Sequence, residues 1–210
     1  MAEFIKTHRL EIATLTLEHL WLVAVSLAIA ILIGVPVGIL VTRRVKLREP
    51  VIGSANIIET IPSLALFGFL LKAPWLGVRS DRIAITALAL YALLPIIRNT
   101  YVGITGVDPA IREAARGMGL TSRQLLWYVE LPLSMSVILA GIRTATVLSI
   151  GIATIAAAIG AGGLGEFIFR GLAMVNDSVI LAGAIPAAVL AVVADLGLGW
   201  LEGRLRPPHA

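Results

Sequence analysis

Four ionisable side chains lie within the long apolar runs of this chain, Glu59, Arg98, Arg143 and Asp195, with Arg98 toward the end of its run. A charge at membrane depth is costly, so it persists where it pairs, snorkels or meets a solute. Arg143 stands about ten residues into its run. It can pair with an acid, contact a solute or reach the inner interface. Asp195 lies near the end of its run and can simply reach that interface. Glu59 is the deepest. It either lines a polar path or ties to Arg98 or Arg143, and the residues alone leave both open. Thr60, Pro62 and Ser63 follow Glu59, and Thr144, Thr146 and Ser149 follow Arg143. These eight residues are the candidate translocation path, with helix packing as the competing use of the hydroxyls.

Other chemistries find little support. No Ser/His/Asp, Cys/His or paired-carboxylate constellation is present, so no catalytic residue is assigned. His8, His19 and His209 are scattered near the termini without metal spacing. The absence of cysteine excludes disulfides and thiolate metal sites. Gly160-Ala-Gly162-Gly-Leu-Gly165 matches G-x-G-x-x-G, but a dinucleotide fingerprint needs a preceding strand and a βαβ unit. Here the pattern follows an apolar helix and reads as a flexible or tightly turning connector. No G-x-x-x-x-G-K-[ST] occurs, so the chain does not bind ATP through a P-loop.

The elements that hold these residues are membrane spans. Of 210 residues, 58% are hydrophobic and 14% charged, and mean hydropathy is +0.94. Soluble domains are about 25% charged. A span needs about 20 mostly apolar residues, and five segments qualify: 20–41, 51–71, 83–104, 133–159 and 179–201. Residues 1–19 mix charge and apolar side chains and suit a short external helix at the interface. Residues 20–206 form the membrane domain and 207–210 a tail. The run at 20–41 is too long for a signal-peptide core. Pro36, Pro62, Pro95 and Pro186 mark bends, and Trp21 and Trp200 sit at span ends as interfacial anchors. With the basic loop 42–50 inside, ten basic residues lie inside against six outside. The N-terminus is then outside and the C-terminus cytoplasmic. Scattered basic residues without an aromatic–basic patch leave nucleic acid out as a partner.

One polar island, Asp108–Pro132, breaks this pattern. Asp108-Pro109 is a helix start, an N-cap acceptor followed by proline at the first helical position. Gly117 and Gly119 offer a stop. Thr121-x-x-Gln124 is a capping box for a second short helix, which Leu131-Pro132 ends. Sidedness puts this helix, glycine turn and helix in the cytoplasm.

The island resembles the EAA loop of ABC-importer permeases, EAA-x3-G-x9-I-x-LP. Glu113-Ala114-Ala115, Gly119 and Val129-x-Leu131-Pro132 carry the match, with valine in place of isoleucine. Over nearly the whole chain, IIETIPSLALFGFLL (57–71), ALLPIIRNTYVGI (92–104), LPLSMSVILAGIRTAT (131–146) and IGAGGLGEFIFRGL (159–172) resemble permeases for glycine betaine, choline, carnitine and related osmoprotectants. The resemblance implies an all-α membrane protein with the type I ABC importer permease fold, five spans and a cytoplasmic coupling loop at 108–132. It implies a non-catalytic subunit of an importer in a bacterial or archaeal cytoplasmic membrane. ATP and Mg would sit on a partner ABC ATPase dimer, with no cofactor on this chain. Further implied partners are a second permease, identical or related, and an external substrate-binding protein. Ala110, Arg112, Glu113, Ala114, Ala115, Arg116, Gly117 and Gly119 would form the docking surface for the ATPase. The alternatives are an importer for methionine or another small amino acid, and a channel or scaffold with no ATPase.

Overall fold

Long uncharged runs leave every backbone polar group to be satisfied within its own segment, and a helix does this in a membrane. The computed structural model describes residues 7–73, 77 and 79–205. These fold as helices, with no strand among the described residues. Helix α1 runs Arg9–Arg43. Helices α2 (Arg48–Thr60) and α3 (Ser63–Leu71) follow. Helix α4 is Ser80–Thr105, α5 is Pro109–Gly117 and α6 is Ser122–Leu125. A π turn over Leu126–Glu130 leads into α7, Leu131–Ala156. Helices α8 (Gly165–Met174) and α9 (Asp177–Arg204) complete the order. Four helical stretches are long and apolar enough to cross a membrane, or five when the bent pair α2–α3 counts as one span.

Helix α4 is the axis of the packing. It lies against α1 on one side and α7 on the other, and α9 covers the far side of α7. The buried stripe of α1 includes Ser26, Ala30, Gly34 and Gly38, every fourth residue and all small. Small residues at that spacing let two helix backbones approach closely in lipid. A Cβ at Gly38 would stand 2.6 Å from Thr100 Cβ on α4. Phe67, Ile83, Leu88, Tyr91 and Ile150 close one core between α3, α4 and α7.

The structure corrects two of the sequence expectations and sharpens two others. No separate interfacial helix precedes a span at 20–41, because nothing between Glu18 and Leu20 breaks the helix and α1 is continuous from Arg9. Residues 1–6 and the tail 207–210 lie outside the described residues. The span at 51–71 is bent by 99° between α2 and α3. Pro62 has no N–H and drives Ile61 out of the helical region, to φ −71° and ψ 126°. The freed Ile61 carbonyl accepts a hydrogen bond from the Tyr91 hydroxyl on α4. Leu131-Pro132 does not end a helix. The run is helical from Ser122 to Ile159, and the wider π turn before Pro132 makes room for its ring. Finally, the glycine-rich connector is the tightly turning one of the two alternatives the sequence leaves open. Gly160, Gly162 and Gly163 take positive φ of 74–84° and turn the chain sharply, and Gly163 N–H donates to Glu18 Oε2 at 3.2 Å. Helix α8 follows at once, an element the sequence reading left out.

Candidate functional site

The polar island is built as its capping residues dictate. Asp108 Oδ1 accepts from Ala110 N–H at 2.8 Å, with Pro109 at the first helical position. At the other end Leu120 N–H reaches Ala115 O (3.2 Å) and Gly119 N–H reaches Arg116 O (2.9 Å). That pair of bonds is a Schellman motif, and Gly119 supplies its left-handed residue at φ +85°. Gly117 is instead the last residue of α5. Thr121 and Gln124 close their capping box, with Thr121 N–H donating to Gln124 Oε1 at 2.9 Å.

Of the eight residues expected to form a docking surface, Ala110, Glu113, Ala114, Arg116, Gly117 and Gly119 are exposed. Ala115 faces inward and is buried. Ile111 and Met118 are large, apolar and exposed. With Ala114 they fall at i, i+3 and i+7, one side of α5. The outward surface is therefore a small apolar stripe rimmed by Glu113 and Arg116.

Arg112 has a different place. It turns inward, half-buried, donates to the Ile104 carbonyl at the end of α4, and stands 3.6 Å from Glu130 Oε1. That separation makes an ion pair but is too long for a hydrogen bond. Glu130 is 1% exposed and is gripped by Arg43 at the end of α1, whose Nη1 donates to Oε1 at 3.3 Å. A buried carboxylate without such partners would cost several kcal/mol. Glu130 therefore ties the polar island to the end of α1, and Arg112 ties it to the end of α4. The sequence reading missed it. Its only local signal was an acid just before an apolar run.

Arg143 has found its acids. Its Nε and Nη2 donate to Asp195 at 2.6 and 2.9 Å, and its Nη1 to Glu202 at 3.3 Å. The bidentate fork binds α7 to α9. Asp195 is thus a structural partner rather than a group merely reaching the interface. Arg143, Thr144, Asp195 and Glu202 line a cleft of about 340 Å³. Thr146 and Ser149 are buried in the packing instead of facing a path, and Thr146 and Thr144 donate to carbonyls of their own helix.

Glu59 makes no ion pair with Arg98 or Arg143 among the described residues. Glu59, Thr60 and Pro62 are exposed at the α2–α3 bend, and Ser63 is half-buried. Glu59 lines a cleft of about 300 Å³ with Leu94, Pro95, Arg98, Asn99 and Val102. No group of three or more His, Cys, Asp or Glu that could hold a metal occurs among the described residues.

A family described as "Binding-protein-dependent transport system inner membrane component" matches residues 20–207. The chain is 49% identical over 192 residues to a carnitine transport permease protein, OpuCB, of Listeria monocytogenes, covering 91% of this chain and 87% of the relative. It is 46% identical over 200 residues to the osmoprotectant import permease protein OsmW of Salmonella typhimurium, with 93% and 90% covered. It is 42% identical over 207 residues to the choline transport system permease protein OpuBB of Bacillus subtilis, with 99% and 94% covered. In fold it is similar to a chain of the inward-facing MetNI methionine ABC transporter. The TM-score is 0.81 at 24% identity, over 90% of this chain and 94% of that one.

Proposed function

The chain belongs to the binding-protein-dependent transport system inner membrane components, and we propose that it is the permease of an ATP-driven osmoprotectant importer. The solutes are glycine betaine, choline, carnitine or close relatives. Relatives named for carnitine, osmoprotectants and choline share 42–49% of residues with it. The methionine transporter chain shares 24%, which speaks for fold alone.

The observation that carries the reading is the island itself. It is a rigidly capped helix with a shallow apolar face, anchored through Glu130 and Arg112 to two spanning helices. Such a helix can fill a groove on a partner and transmit its displacement. An ABC ATPase dimer binds ATP and Mg and moves two copies of α5, one from each permease. The permeases then alternate between facing inward and outward, and an external binding protein delivers solute. The N-terminus lies outside and the island inside, as the basic-residue bias supports. This chain provides the conduit and no catalytic group.

Substitution in α5 tests this. Gly119→Asp places a Cβ on a left-handed backbone and a charge beside the docking face. Ala114→Glu puts bulk in the middle of that face. Both variants insert normally and lose ATP-driven uptake in proteoliposomes. Normal uptake by both excludes the coupling role, and conduction without nucleotide favours a channel.

A further inference from the structure

Two helix faces look at each other across a groove beside the α2–α3 bend. On α2 the face is Glu49, Ile52, Asn56 and Glu59, at spacings of three, four and three. On α4 it is Pro95, Arg98, Asn99 and Val102. The groove consists of two adjoining clefts of about 300 and 280 Å³, and Arg98 and Val102 line both.

The charges in this groove behave unlike the others in the spans. Arg143 is paired with Asp195 and Glu202, and Glu130 with Arg43 and Arg112. Glu59 and Arg98 line one cleft with opposite charges, both exposed, and neither has an ion-pair partner among the described residues. Leaving two charges unmated within spanning segments is expensive unless a ligand or water meets them. Arg98 carries the planar fork that suits a carboxylate. Asn99 lies one residue on, its Nδ2 held by the Pro95 carbonyl at 2.8 Å.

The opposite end of the cleft favours a cation. Glu59 is the penultimate residue of α2, and the bend at Ile61-Pro62 leaves α2 as a half-helix ending within the span. The C-terminal end of a half-helix carries partial negative charge and unpaired carbonyls, which attract cations. Leu94, Pro95 and Val102 give apolar walls. Tyr101, in the second cleft, already carries the Arg48 guanidinium 5.2 Å from its ring centre. Cation recognition here rests on Glu59 rather than on an aromatic cage. A volume of about 300 Å³ is at the small end for ligand sites, which run about 300–1,000 Å³.

We propose that this groove is a solute subsite of the permease itself, in which Arg98 receives the carboxylate and Glu59 the cationic head of a small zwitterion. The assignment rests on the importer reading above and adds a second point of selection, inside the membrane.

The test compares two solutes on the reconstituted complex with its ATPase and binding protein. Glycine betaine carries a carboxylate and choline has the same cation without one. Arg98→Gln raises the half-saturating concentration for betaine uptake about tenfold more than that for choline, the worth of one charge-assisted pair. Arg98→Lys shifts the ratio the same way by less, because it keeps the charge and loses the fork. Glu59→Gln raises both half-saturating concentrations. Equal effects of Arg98→Gln on the two solutes, or no effect of Glu59→Gln, overturn the subsite. So does a wild type that moves choline and refuses betaine. A wild type with no ATP-driven uptake of betaine, choline or carnitine overturns the importer reading instead.

Discussion

Glu130 is the residue whose removal says most about how the polar island is held. It is 1% exposed and faces two arginines from different helices. Glu130→Gln leaves Arg43 and Arg112 close together without a counter-charge, and breaking a buried pair this way costs on the order of 3 kcal/mol. We expect a melting temperature several degrees lower in detergent, and fewer solutes moved per ATP at unchanged ATPase association. An unchanged melting temperature would mean the carboxylate is not anchoring the arginines. Arg143 and Asp195 provide the matching case between α7 and α9. Arg143→Met takes the cation away from Asp195, and Asp195→Leu leaves Arg143 only its longer bond to Glu202, so each lowers the melting temperature. The double variant recovers much of the loss, since an apolar pair can replace an ion pair. Additive losses would show that the two charges do not depend on each other.

Among the elements, the bend between α2 and α3 and the caps of α5 show what the sequence carries and what it hides. Asp108, Gly119, Thr121 and Gln124 act on backbone groups within five residues, so their roles are legible in the chain order. The sharp glycine turn at 160–163 is legible for the same reason. Pro62 announces a break, but not its 99° angle, which depends on the Tyr91 hydroxyl 30 residues away accepting the role of partner to Ile61. Pro132 misleads, because proline ends an α-helix yet fits after a π turn. Glu130 hides because its partner Arg43 is 87 residues distant. Arg112, placed on the docking surface by its position in the motif, faces inward because the Ile104 carbonyl and Glu130 meet it there. Tyr91→Phe tests the bend directly. It strands a half-buried carbonyl at a cost of about 1 kcal/mol, and should loosen α3 against α4. Faster hydrogen exchange confined to residues around 60–66 is the expected signature, and unchanged exchange would remove Tyr91 from the account.

At the scale of the whole molecule, hydropathy was enough to read an all-helical chain with four to five long apolar helical stretches, because a bilayer admits few backbone solutions. It could not show that α4 would be the packing axis, or that α8 would fold after the glycine turn. Both depend on which small residues meet which neighbour. The functional account joins three features of one chain: a capped outward helix, a buried acid tying it to the spanning bundle, and a groove with unmated charges beside a broken span. Together they fit the proposed reading, a conduit worked from one side by a partner that spends ATP. The most direct measurement is ATP hydrolysis and uptake by the complex in proteoliposomes, given betaine, choline, carnitine and methionine in turn. The account predicts that at least one of the quaternary-ammonium solutes stimulates hydrolysis and enters only with ATP, while methionine does neither. Uptake of methionine alone, or passage of solute without ATP, would contradict it.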